Sequence, residues 1–78
     1  MGVTVTVLYF GEAQDKAGIR EEEIVAEDTS SLRNILIAKY PALARVPFRL
    51  ALNRSLLKEE SPLSKGDIIA VLPPFQGG

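Results

Sequence analysis

Val3-Thr4-Val5-Thr6-Val7-Leu8-Tyr9-Phe10 is a run of β-branched, aromatic and leucine side chains. In an extended chain Val3, Val5, Val7 and Tyr9 share one face, and Thr4, Thr6, Leu8 and Phe10 share the other. The run reads as a strand whose first face belongs to a core. Its second face changes from threonine to large apolar residues toward the end. That end asks for cover, by another element or by a partner.

The segments that follow decide what covers the core face. Gly11 breaks the strand, and residues 12–17 suit a short helix with Ala13 and Ala17 on one side and Gly18 as a left-handed stop. Residues 19–26 read as a second strand. Glu21, Glu22 and Glu23 start it poorly, which predicts an edge or a solvated face. Asp28, Thr29 and Ser30 are each good N-cap residues. Leu32, Ile35, Leu36 and Tyr40 then recur at helical spacing, so the main amphipathic helix is expected over about residues 30–40. Pro41 ends it by pushing Tyr40 out of the helical region, and residues 42–47 read as a loop.

The second half is richer in strands. Phe48, Leu50 and Leu52 alternate with Arg49, Ala51 and Asn53 in a third strand. Asn53-Arg54 suits a tight turn into a short strand at Leu56-Leu57. Ser61-Pro62-Leu63 reads as a short turn of helix. Lys65-Gly66-Asp67 turns the chain into a final strand over residues 68–72. One main helix must then cover one face of a mixed sheet, because that packing buries both apolar surfaces. The expected fold class is α+β, a β-grasp (ubiquitin-like) roll. Residues 1–72 are expected to form the domain, and residues 73–78 an extended tail ending in Gly-Gly.

Composition narrows the function. The chain has 78 residues, 46 % of them hydrophobic, with 9 basic and 10 acidic side chains and a net charge of −1. That is one small domain with a modest core, and no basic excess points to nucleic acid or anionic lipid. There is no Cys and no His. A disulfide framework, a thiolate nucleophile, a Cys-based metal site and the usual acid–base group near neutral pH are all missing. No cofactor or metal bound by this chain is expected. No apolar run reaches the roughly 18 residues of a membrane span, and no basic-then-apolar leader is visible. The cytoplasm is the expected compartment.

Several formal motifs have plainer readings. Met1-Gly2-Val3-Thr4-Val5-Thr6 fits a myristoylation pattern but reads as a strand start, and Asn53-Arg54-Ser55 fits a glycosylation sequon but reads as a turn. Glu21-Glu22-Glu23 and Glu59-Glu60 lack accompanying ligands and read as solvated charge.

The end of the sequence is more informative. The last strand runs into Pro73-Pro74, which favours a stiff extended exit. Gly77 and Gly78 have no Cβ and can pass a narrow channel. Six residues beyond Leu72 reach roughly 20 Å when extended. Such a tail suits insertion of a terminal carboxylate into another protein's site. A chain without Cys cannot hold sulfur as a persulfide, but it could hold it as a thiocarboxylate on Gly78.

Leu8-Tyr9-Phe10 before a short helix, Ala51-Leu52-Asn53-Arg54, Pro62-Leu63, Lys65-Gly66-Asp67-Ile68-Ile69-Ala70 and Pro73-Pro74-Phe75-Gln76-Gly77-Gly78 together resemble the small subunits of molybdopterin synthase. These are the MoaD branch of the MoaD/ThiS sulfur-carrier family, and the resemblance covers nearly the whole chain. It implies a β-grasp domain whose C-terminal Gly78 is adenylated by a ubiquitin-activating-like adenylyltransferase, which uses ATP, and is then converted to a thiocarboxylate. It implies that the tail enters the large synthase subunit, where sulfur passes to cyclic pyranopterin monophosphate. Gly77 then gives Gly78 access. Phe10, Leu72, Pro73, Pro74 and Phe75 are candidates for partner docking, with ordinary core as the other reading of Phe10 and Leu72. Phe75-Gln76 departs from the family, which usually has Val and then Ser or Thr there. The thiamin-type carriers are similar but generally lack the Pro-Pro exit. Two further readings remain open: a ubiquitin-like modifier joined to lysines through Gly78, and a binding module whose Gly-Gly is incidental.

Overall fold

The computed structural model describes residues 2–73. Five strands and two α-helices follow in the order β1 (Val3–Tyr9), α1 (Gly11–Ala17), β2 (Glu21–Ala26), α2 (Thr29–Lys39), a 3-10 turn (Pro41–Arg45), β3 (Arg49–Leu52), β4 (Ser55–Leu56) and β5 (Ile68–Leu72). They form one mixed sheet in the order β2-β1-β5-β3-β4, the α+β β-grasp arrangement expected from the sequence. β1 pairs antiparallel with β2 and parallel with β5, and β3 pairs antiparallel with β5 and β4.

The alternation in β1 plays out as its residue types dictate. Val5, Val7 and Tyr9 are buried and pack with Ile24, Leu32, Leu36, Leu50, Ile69 and Val71 beneath α2. Asp28 is the N-cap of α2, and its carboxylate accepts from the Ser31 N–H at 2.7 Å. That choice among three candidate caps leaves Thr29 in the first turn, where it is fully buried. Its hydroxyl donates to Glu60 at 2.6 Å and accepts from the Ser61 N–H at 2.9 Å, so no polar atom is stranded.

Three local expectations need correction. The predicted loop over residues 42–47 begins with a 3-10 turn, Pro41–Arg45. Proline suits its first position, where no N–H is needed, and Leu43 is driven into the core at 1 % exposure. Ser61-Pro62-Leu63 is not helical. It runs antiparallel beside α2's entry, with an isolated bridge between Asp28 and Pro62. The Thr29 N–H donates to the Ser61 carbonyl and the Leu63 N–H to the Glu27 carbonyl, pairings with distant residues that outcompete a local turn.

The third correction concerns Glu22, which is not solvated charge. Register sets it opposite Val7, on the covered face. Its carboxylate accepts from the Tyr9 hydroxyl at 2.6 Å, from the Tyr40 hydroxyl at 2.5 Å, and from Lys39. Burial works against the charge, but the bonds from Lys39, Tyr40 and Tyr9 outweigh it and hold the carboxyl below its ordinary range. The two tyrosine rings meet edge to face with centroids 5.8 Å apart. The cluster fastens the end of α2 to the edge strand.

Candidate functional site

Helices cover only one face of the sheet. Register identifies what lies on the other. Leu8 of β1 pairs with Ala70 of β5, Ala70 with Ala51 of β3, and Ala51 with Leu56 of β4. One row of apolar side chains therefore crosses four strands. Thr6 pairs with Ile68 on one side of that row, and Leu72 with Arg49 on the other. Phe10 follows β1, and its N–H donates to the Val71 carbonyl at 3.1 Å, which sets it beside Leu72. Phe10, Leu56 and Ile68 remain 44 %, 43 % and 46 % exposed. Scattered apolar residues are ordinary on a protein surface, but exposed apolar side chains gathered along one face make it a candidate interaction site.

Shallow grooves cross the face among the described residues. Leu8, Phe10, Asn53, Arg54, Ile68 and Ala70 line one, and Arg49, Ala51, Arg54, Leu56, Leu72 and Pro73 line another. Arg54 borders both. The Asn53-Arg54 turn has two left-handed residues, φ 48° and 76°, as a type I′ hairpin requires. The Asn53 side chain ties it to β5: its carbonyl accepts from the Ile68 N–H at 2.8 Å, and its amide donates to Asp67 at 3.0 Å.

The parallel pairing of β1 with β5 brings the ends of both strands to the same edge of the sheet. Gly11 and Pro73 meet there, and a Cβ on Gly11 would stand 3.2 Å from Pro73 Cγ. The end of β5 thus stands beside Phe10, at the border of the second groove. Of the residues singled out from sequence, Phe10, Leu72 and Pro73 are brought together here, and Phe10 is surface, not core. Pro74, Phe75, Gly77 and Gly78 lie outside the described residues. Ile68, Ala70, Leu56, Arg49 and Arg54 escaped the sequence reading as site residues. The signal for Ile68 and Ala70 was the alternation of the final strand, whose second face repeats the apolar pattern of Leu8 and Phe10. Among the described residues no group of three His, Cys, Asp or Glu is placed to hold a metal ion. No described helix is long and apolar enough to cross a membrane.

Residues 7–78 match the sequence model of the ThiS family. The chain belongs to the ThiS family. Across 97 % of this ThiS-family chain and 99 % of the relative, it is 41 % identical to a molybdopterin synthase sulfur carrier subunit of Caenorhabditis briggsae. Among solved structures, it resembles the small archaeal modifier protein 1 of Methanosarcina acetivorans with a TM-score of 0.87 and 26 % identity, over 100 % of this chain and 99 % of that one. It also resembles a chain in the complex of subunits 1 and 2 of the molybdopterin-converting factor of Helicobacter pylori 26695. There the TM-score is 0.68 and the identity 29 %, over 97 % of this chain and 100 % of that one.

Proposed function

We propose that this chain is the sulfur-carrier small subunit of a molybdopterin synthase, docking through its open sheet face onto the large subunit and delivering Gly78 to that subunit's active site. The observation that carries this reading is the continuity of the apolar face with the end of β5 at Leu72 and Pro73. A partner that covers Phe10, Leu56 and Leu72 is positioned to receive the residues that follow. The similarity to carrier subunits over nearly the full length supports it.

The chemistry belongs to the terminal carboxylate. In an adenylyltransferase partner, the Gly78 carboxylate attacks the α-phosphate of ATP, pyrophosphate leaves, and an acyl-adenylate forms. A sulfur nucleophile at the sulfide level then displaces AMP and leaves a thiocarboxylate. In the large subunit that sulfur forms a bond to a side-chain carbon of cyclic pyranopterin monophosphate as the carbon–oxygen bond there breaks, and hydrolysis of the acyl–sulfur bond then restores the Gly78 carboxylate and leaves the sulfur on the pterin. A chain with no Cys or His contributes the carrier group and the docking face, and its partners supply the acids and bases.

The test is the intact mass after incubation with the activating enzyme, ATP and a sulfur donor, with fragmentation to place any gain. Placement matters because oxidation of Met1 gives nearly the same nominal gain as exchange of oxygen for sulfur. A gain confined to Gly78, absent when Gly78 is deleted, supports the carrier. No gain at Gly78 with a verified cognate enzyme overturns it. The likeness to the Methanosarcina modifier protein favours a second reading, conjugation of Gly78 to lysines. Lysine adducts bearing a Gly-Gly remnant would establish that use of the same terminus.

A further inference from the structure

The open face is not electrically uniform. Glu21 and Glu23 of the edge strand β2 sit opposite Leu8 and Thr6, on the open side. Arg49 of β3 and Arg54 of the β3–β4 turn flank the β3–β4 half of the apolar row, Arg49 on its Leu72 side and Arg54 on its Ile68 side. All four are exposed. Three strand spacings, roughly 14 Å, separate β2 from β3. That exceeds the Debye length of about 8 Å at physiological salt, so Glu21 and Glu23 do not cancel Arg49; Arg54, which lines a groove with Leu8, reaches nearer to them. Arg20 stands at the corner of the acidic border and reduces it, leaving Glu21 and Glu23 in excess by one charge. On the β3 side, Lys58, Glu59 and Glu60 share a groove with Arg49, and neither Arg49 nor Arg54 forms an ion pair with a described residue. Arg54 also occupies a left-handed backbone position, φ 76°, where glycine is the favoured residue of the turn. A long cationic side chain there carries a conformational cost that its own fold does not offset.

We infer that this face docks its partner in one electrostatic register, with partner carboxylates meeting Arg49 and Arg54 where they flank the β3–β4 half of the apolar row. The inference rests on the docking reading above and adds to it the charge order of the partner's surface. Guanidinium groups bordering apolar surface are well suited to carboxylates, which they hold with two parallel hydrogen bonds. Glu21 and Glu23 repel the same carboxylates. The partner turned half-way round would therefore bury its apolar patch only by setting acid against acid. The correct placement also delivers the chain's exit at Pro73 to one side of the partner's surface.

The experiment is stopped-flow association of the full chain with the cognate large synthase subunit over a range of salt, for the parent chain, R49E/R54E and F10A. Melting temperatures of the free variants check that each is folded. R49E/R54E should slow association by about 10-fold at low salt, with the deficit shrinking as salt rises, because border charges act on the encounter rate. F10A should weaken the complex at every salt concentration. If R49E/R54E associates like the parent throughout while F10A binds weakly, docking stands and the charge register is overturned. If F10A also binds like the parent, the docking reading falls and the register falls with it.

Discussion

Gly11 and Pro73 pack against each other at the edge where β1 and β5 both end, with Gly11 at φ 55° and its missing Cβ 3.2 Å from Pro73 Cγ. Gly18, at φ 74°, has open space where its Cβ would be. The two glycines therefore separate backbone strain from crowding. Gly18→Ala should cost about 1 kcal/mol through the left-handed backbone alone. Gly11→Ala should cost the same strain and also displace Pro73 by a few tenths of an ångström. Chemical denaturation reads the first effect. Weaker binding of the large subunit by Gly11→Ala, and not by Gly18→Ala, reads the second.

Glu22 is the shared acceptor of Tyr9, Tyr40 and Lys39. Glu22→Ala leaves two tyrosine hydroxyls and an ammonium group without their acceptor at a half-buried site. A loss of about 2 kcal/mol is expected, since stranding buried donors costs more than a typical hydrogen bond contributes. Glu23→Ala, on the exposed face of the same strand, should change stability by less than about 0.5 kcal/mol. Equal effects of the two substitutions in urea titrations would contradict the role given to Glu22.

Arg54 is expected to set stability against binding. Arg54→Gly relieves the left-handed strain and should raise stability by about 1 kcal/mol. The same change removes one of the two border cations and should slow association with the large subunit at low salt. Stability and association rate moving in opposite directions is the expected signature. A variant that is more stable and associates unchanged would argue that Arg54 serves only the turn.

Phe10 and Leu36 divide docking from folding. Leu36 is fully buried under the sheet, and Leu36→Ala should cost about 3 kcal/mol of stability. Phe10 is 44 % exposed on the open face, and Phe10→Ala should cost less than about 1 kcal/mol of stability. In binding to the large subunit it should cost about 2 kcal/mol, as a central aromatic anchor does. Melting temperature and isothermal titration together make this comparison.

Three carboxyl groups lie below their ordinary range in the fold. The Ser31 backbone N–H holds Asp28 down, the Asn53 amide and Ser64 N–H hold Asp67, and the cluster bonds hold Glu22 against the opposing effect of burial. Because their folded values are depressed, their stabilisation is present above the unfolded values of about 4 and is lost as pH falls through the folded ones. Tyr9 and Tyr40 are pushed up by burial first and then by Glu22, and Lys39 is pushed up by its bond to Glu22. Their share is present below unfolded values of about 10 and is lost as pH rises through the folded ones. With no His in the chain, the melting temperature should be flat from about pH 6 to 8. It should fall on both sides, and Asp67→Asn should lose part of the acid limb.

Local chemistry made much of this protein legible. The alternation of Val3 to Phe10, the helical spacing of Leu32, Leu36 and Tyr40, and the turn residues Gly18, Asn53 and Gly66 each act within a few neighbours. Near-neighbour physics suffices to place such elements. Ser61-Pro62-Leu63 and Leu43 were misread because distant partners decide them: the backbone beside Asp28 in one case and the core beneath α2 in the other. Glu22 was misread for the same reason. Its strand and its charge are local facts, but its partners Tyr9 and Tyr40 lie 13 and 18 residues away.

The sequence by itself determined that this is one small α+β domain with no Cys or His, two glycines after a proline pair, and the pattern of the ThiS family. Only the tertiary structure decided which side chains share the open face proposed for docking. β5 pairs with β1 on one side and β3 on the other, β3 pairs with β4, and these registers carry Leu8, Ala70, Ala51 and Leu56 into one row across the open face. A linear pattern records which residues alternate within a strand. Which strands become neighbours is settled by how the sheet closes over its core, and the docking face exists only once it has.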